Sequence, residues 1–145
     1  MKKRGFNPTI DLTLCEAEME PEERRLPFRL LSPGIPQRVN SSFYNVKYIR
    51  AYNAYECEIH PQDAKELGIA MGDRIRLWNQ RGEAFFVARV TTRVAPGVVR
   101  TAKCNWRMTN PYGKEGNTNT LTTSKLTDMG GCSAYHSTRV NMEKA

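Results

Sequence analysis

Closely spaced cysteines are missing from this chain. Cys15, Cys57, Cys104 and Cys132 stand far apart, with no pair two or three residues from each other to frame a zinc or iron–sulfur site. They are expected to be reduced thiols, mostly buried. Long apolar runs are missing as well, none approaching the roughly 20 residues that a membrane-spanning helix needs. Met1-Lys2-Lys3-Arg4 leads into no apolar signal-peptide core. The chain is expected to be soluble and to carry no export signal of its own.

What is present bounds the problem further. At 145 residues and 39% hydrophobic, the chain is long enough for one domain with a real core and too short for two large ones. Twenty-two Lys and Arg against fifteen Asp and Glu leave a net charge of +7. That excess favours an anionic partner such as a phosphorylated cofactor, nucleic acid or an acidic protein surface. Because the charges are spread along the chain, a merely solvated basic surface accounts for them equally well.

Residues 60–79, HPQDAKELGIAMGDRIRLWN, organise the rest. Pro61 suits a first helical position, Gln62 and Asp63 place polar and acidic groups in the first turn, and Gly68 can take the left-handed conformation that ends a helix. About two turns of helix are expected, followed by Ile69 and Met71 folding back beneath it. Gly72-Asp73 then reverses the chain into a half-buried strand in which Ile75 and Leu77 alternate with Arg74 and Arg76. His60 simply precedes the helix, with no partner evident.

On either side the pattern is mainly β. Residues 1–26 are charged and irregular and read as a linker or arm, with a short helix after Pro21. Residues 27–32 form a strand bounded by Pro27, Pro33 and Pro36. Tyr44, Tyr48 and Tyr52 have helical spacing and are expected to pack on the domain, although basic residues between aromatics also occur in nucleic-acid binders. Tyr55, Cys57 and Ile59 alternate with Glu56 and Glu58 as a strand. Residues 79–82, with Gly82 at a positive φ, make a hairpin turn, and the returning strand buries Ala84, Phe86, Ala88 and Val90. Residues 94–99 read as strand, type II turn at Pro96-Gly97, and strand. Residues 105–120 hold two glycines and four asparagines without periodicity, and a loop this long inside a small domain is more often functional or disordered than idle. Residues 127–133 form another loop, and residues 137–142 a last strand with Thr138, Val140 and Met142 on one side.

Three stretches carry a resemblance. HPQDAKELGIAMGDRIRLWNQRGEAFFVARVTTRVAPGVV, the loop SPGIPQRVNSSF after Leu31, and GNTNTLT at residues 116–122 occur in one order over residues 27–142. Together they resemble the C-terminal molybdopterin dinucleotide-binding domain of the dimethyl sulfoxide reductase, formate dehydrogenase and nitrate reductase superfamily. The fold implied is a double-psi β-barrel over residues 27–145, mainly β with short helices, of the aspartate-decarboxylase-like and formate dehydrogenase C-terminal type. A self-cleaving decarboxylase on that barrel needs a Gly-Ser pair, and none occurs.

The resemblance implies that the domain binds and orients a molybdopterin guanine dinucleotide, one of two in a bis form whose molybdenum or tungsten is held by other domains or subunits of the enzyme. It implies cofactor contacts from Ser32, Gly34, Arg38, Asn40, Ser41 and Ser42, from Trp106 and Asn119, and from His136, which stands where the family has a lysine. Ser-Pro-Gly replaces the family's Thr-Gly-Arg opening. Physically, hydroxyls and a guanidinium suit ribose and phosphate. An amide suits a pterin or guanine edge, since it both donates and accepts. No catalytic residue and no metal ligand is expected in the chain itself. A cytoplasmic location is expected for the chain itself, and a periplasmic or membrane-associated one is open to a parent enzyme. The alternative is a free-standing double-psi barrel whose basic surface binds a peptide, an adaptor protein or nucleic acid.

Overall fold

A computed structural model describes residues 22–43, 46, 48, 55–103, 113–126 and 131–145. Six strands close into a barrel: β1 (Phe28–Leu31), β2 (Glu56–Ile59), β3 (Arg74–Asn79), β4 (Gly82–Val90), β5 (Val98–Arg100) and β6 (Arg139–Lys144). Around the barrel the order is β1-β5-β2-β4-β3-β6. The pairs β1–β5 and β2–β4 are parallel and the other neighbours antiparallel. This is the expected double-psi arrangement, mainly β, and among the described residues it has one short α-helix, α1 (Pro61–Glu66).

Period-two alternation builds the core. Phe28 and Leu30 from β1, Cys57 and Ile59 from β2, Ile75 and Leu77 from β3, Ala84, Phe86 and Ala88 from β4, Val99 from β5 and Val140 and Met142 from β6 all point inward and are buried. Outward aromatics on β3 and β4 are covered by arginines, with the Arg74 guanidinium 4.4 Å from the Phe85 ring centre and that of Arg76 4.9 Å from Trp78.

The organising segment folds as its sequence predicts, with added detail. The N–H of Gln62 donates to His60 Nδ1 at 3.2 Å, so His60 caps α1 and does have a partner. At the other end Gly68 has φ +65°, Ile69 N–H donates to the Ala64 carbonyl and Gly68 N–H to that of Lys65, which is a Schellman ending. Ile69 fills the apolar position of that motif and is buried. Met71, expected beside it, is 62% exposed, because it lies in the turn that Gly72 makes at φ +86°.

Other expectations are corrected. Gly82 does not adopt positive φ: the turn at Gln80-Arg81 is held by the Arg81 N–H donating to Asn79 Oδ1 at 3.0 Å. The glycine matters for space, since a Cβ there would lie 3.3 Å from the Thr120 carbonyl oxygen. The Pro96-Gly97 turn and the strand after it form, with Gly97 at φ +76° and Val98 N–H donating to the Ala95 carbonyl, but β4 ends at Val90 and no strand precedes the turn. Tyr48 is 78% exposed and does not pack on the domain; most of residues 44–54 lie outside the described residues. Of the cysteines, Cys57 is buried and burial pushes its thiol pKa far upward, whereas Cys132 is exposed; Cys15 and Cys104 lie outside the described residues. No helix among the described residues is long and apolar enough to cross a membrane.

Two carboxylates lock the barrel locally. Asp63, buried in α1, accepts the N–H of Gly97 through Oδ2 at 2.8 Å and so ties the helix to the start of β5. Asp63→Ala leaves that amide without its acceptor and should lower unfolding free energy by about 1–3 kcal/mol, read from the urea midpoint. Asp73 Oδ2 accepts from Lys144 Nζ at 2.7 Å and from the Ala70 N–H at 2.8 Å. The Lys144 hydrogen bond first, then the Ala70 amide, hold its carboxyl below the ordinary range. The folded pKa being the lower one, Asp73 contributes stability above the unfolded value of about 3.9 that is lost as pH falls through the folded value. Asp73→Asn should therefore flatten the loss of stability below about pH 4, measured by thermal melts across acid pH.

Candidate functional site

Four segments meet at one end of the barrel, and each is fixed by identifiable hydrogen bonds. Past β5 the chain keeps pairing with the chain past β1: the Thr101 N–H donates to the Leu31 carbonyl at 2.9 Å and the Lys103 N–H to that of Pro33 at 3.1 Å. Ser32 is buried, and its N–H donates to His136 Nδ1 at 3.5 Å, a long bond that nonetheless brings the turn before β6 against the loop after β1. Tyr135 leans on the same imidazole, ring centres 4.3 Å apart.

The fourth segment is the turn Thr118–Thr120. Fully buried Thr118 donates its hydroxyl to the Ala102 carbonyl at 3.1 Å. Its oxygen lies 3.2 Å from Thr101 Oγ1. Since the single Thr118 proton is committed to Ala102, Thr101 is the donor between the two hydroxyls. Leu121 is fully buried in the core, and its carbonyl accepts from Asn79 Nδ2 and Arg81 Nε at 2.8 and 2.9 Å. Thr120 Oγ1 reaches the Glu83 carbonyl at 3.0 Å. Asn119, between these anchors, is exposed, and its N–H donates to Asn117 Oδ1 at 3.0 Å. The Asn-x-Leu-Thr spacing thus has a physical meaning: leucine plugs the barrel end, and the asparagine two residues earlier is left facing out.

Of the residues expected from sequence, Ser32, Gly34 and His136 share this rim with Asn119. Arg38 lies farther along the loop after β1 and is buried, its N–H donating to the Ile35 carbonyl. Asn40, at φ +51°, Ser41 and Ser42 follow it and are exposed. Trp106 lies outside the described residues.

A cleft of about 360 Å³ opens beside the rim, between residues 33–37 and the outer faces of β2, β4 and β5. Its walls carry Glu56, Glu58, Arg89, Arg93 and Arg100. Glu58, which alternates with the core residues Cys57 and Ile59 on β2, is nonetheless only 5% exposed. Arg100 Nη1 donates to its Oε2 at 2.9 Å, and Arg93 Nη1 stands 3.7 Å from Oε1. Arg89 pairs with Glu56 at 3.0 Å. This cluster was not singled out from sequence. Its signal was Glu56 and Glu58 on a strand delivered into the core, matched by arginines on the two strands that flank it. Among the described residues no group of His, Cys, Asp and Glu is arranged to hold a metal ion.

The barrel and the rim coincide with a known sequence pattern. The model of the Molydopterin dinucleotide binding domain matches residues 28–139, from the first residue of β1 to the first of β6. The chain belongs to this family. It is 34% identical over 128 residues to the putative dimethyl sulfoxide reductase chain YnfE of Escherichia coli, an alignment covering 86% of this chain and 16% of that protein. With the dimethyl sulfoxide reductase DmsA of the same organism it shares 33% identity over 131 residues, covering 89% and 16%. Among solved structures, acetylene hydratase from Pelobacter acetylenicus superposes with a TM-score of 0.77 at 17% identity, covering 99% of this chain and 22% of that one, which is a likeness of fold. The chain thus spans about one sixth of the length of the curated relatives it matches.

The residues present suit a molybdopterin dinucleotide. Phosphates call for guanidinium and ammonium groups, and ring edges for an amide that donates and accepts. The cleft wall supplies three arginines against two glutamates, with the Lys103 side chain beside Gly34, and the rim supplies the exposed Asn119. Removing the hydroxyl that docks the 117–120 turn tests how the rim is held. Thr118→Val should cost about 1–2 kcal/mol and speed amide hydrogen exchange at Asn119 and Thr120 while leaving β3 and β4 protected.

Proposed function

We propose that residues 27–145 bind and orient one molybdopterin guanine dinucleotide as the C-terminal cofactor-binding domain of a larger molybdopterin-dependent oxidoreductase, with residues 1–26 a linker or N-terminal arm. When bound, the dinucleotide presents the metal, molybdenum or tungsten, on which redox chemistry takes place; this chain contributes position and affinity. The remaining domains or subunits supply the metal's protein ligand and the other walls of the site. The observation that carries this reading is the convergence of residues 32–34, 101–103, 117–120 and 135–137 on one barrel rim in a chain of this family.

Within it, the Asn119 amide reads the edge of the guanine or pterin ring. Ser32, Gly34, Asn40, Ser41 and Ser42, with Arg38 behind them, follow the ribose and phosphates. Trp106 joins them as the counterpart of the family's tryptophan, and His136 takes the place of a lysine, able to donate through Nε2 while Nδ1 accepts from Ser32.

Titration of the chain with GMP should show weak binding, since one domain supplies only part of the site. Asn119→Ala and Ser41→Ala should each weaken it by about five- to tenfold. Indifference to GMP together with tight binding of duplex DNA or a peptide would contradict the reading and favour a free-standing barrel adaptor.

A further inference from the structure

The cleft beside the rim contains an unequal electrostatic arrangement. Glu58 is nearly inaccessible, its side chain 7% exposed, yet it faces two arginines. Arg100 satisfies it with a hydrogen bond of 2.9 Å, and Arg100 is itself largely covered. Arg93 does not: its Nη1 is 3.7 Å away, outside hydrogen-bond distance, and its side chain is 64% exposed. Arg89 and Glu56 neutralise each other. The balance in the cleft is therefore positive, and its exposed member is the Arg93 guanidinium, held by attraction at a distance. The opposite wall, residues 33–37, follows buried Ser32 and includes Gly34, which lies against the Lys103 side chain.

A planar fork over a pre-neutralised buried carboxylate suits a doubly or triply charged oxyanion better than a single carboxylate. The size of the cleft, near the lower end of the roughly 300–1,000 Å³ range of small-molecule sites, fits the linking part of a dinucleotide and not its whole length. We infer that this cleft is a diphosphate subsite in which Arg93 turns from Glu58 to the anion, while Arg100 stays on Glu58 and supports the wall. Glu58 is then a negative counterweight: it holds Arg93 in place before binding and weakens the anion's hold afterwards. On the reading above the diphosphate is the dinucleotide's own, and the inference rests on that reading for the ligand's identity though not for the chemistry of the cleft.

Isothermal titration of the full chain at low ionic strength with inorganic pyrophosphate, GDP and guanosine separates the possibilities. Pyrophosphate and GDP should both bind, and Arg93→Ala should weaken each about tenfold or more. Glu58→Gln, which removes the competing charge, should strengthen both several-fold, a sign that a purely structural role for Glu58 does not produce. Circular dichroism checks that each variant is folded, and exposed Arg93 keeps the test available should Glu58→Gln unfold. Asn119→Ala should weaken GDP and leave pyrophosphate unchanged. If GDP binds, responds to Asn119→Ala and ignores Arg93→Ala, the subsite is wrong and the cofactor reading stands. If pyrophosphate binds in the expected order of variants while guanosine and GDP show no dependence on Asn119, the subsite stands as a free-phosphate site and the cofactor reading loses its support. Failure of pyrophosphate to bind overturns the inference.

Discussion

Closure of the barrel is the constraint from which the site follows. Two parallel and four antiparallel pairings return the sheet to its starting strand, so the ladder has no open edge to pair with another chain. What remains adjustable is the set of segments leaving the strand ends. At one end these segments are α1 and the Pro96-Gly97 turn, joined through Asp63. At the other they are polar, rich in hydroxyl and amide groups, and cross-linked by Thr118, Leu121 and Ser32. A rigid cylinder with one stapled end and one end of hydrogen-bonded loops can position ligand-facing side chains without strain in the strands.

Much of this was legible beforehand for a physical reason. Strands of a small barrel must alternate, so Ile75 and Leu77, or Ala84, Phe86 and Ala88, announce their side of the sheet. Helix ends have few chemical solutions, so Pro61 and Gly68 mark theirs. Less legible was anything set by distant approach. Gly82 looks like a turn glycine, but its role is set by Thr120, 38 positions on in sequence. Glu58 reads as an outward strand residue until Arg93, Arg100 and residues 33–37 fold over it. Met71 has the spacing of a core residue but sits in the turn that the Asp73 N–H closes on the Ala70 carbonyl, after buried Ile69 has completed the helix ending.

The site reading had a similar division. A motif such as Asn-x-Leu-Thr places its residues only because leucine must be buried, and that is a sequence-level fact. Whether Ser32, Asn119 and His136 lie on one rim depends on how β1, β5 and β6 neighbour each other, which is a property of topology. Arg38 shows the limit: its guanidinium suits a phosphate, but the sequence does not tell that its side chain is buried. Burial does not remove a guanidinium from service, but it makes Arg38 a residue that shapes the loop as much as one that meets a ligand.

The central claim, that one rim of the barrel holds the nucleotide, is tested most directly by mapping amide chemical shifts of the chain in a GMP titration. The account predicts shifts centred on residues 32–34, 38–42, 101–103, 117–120 and 135–137, with α1 and the Pro96-Gly97 turn silent. Shifts centred on α1 and that turn, with Asn119 and its neighbours unmoved, would contradict it.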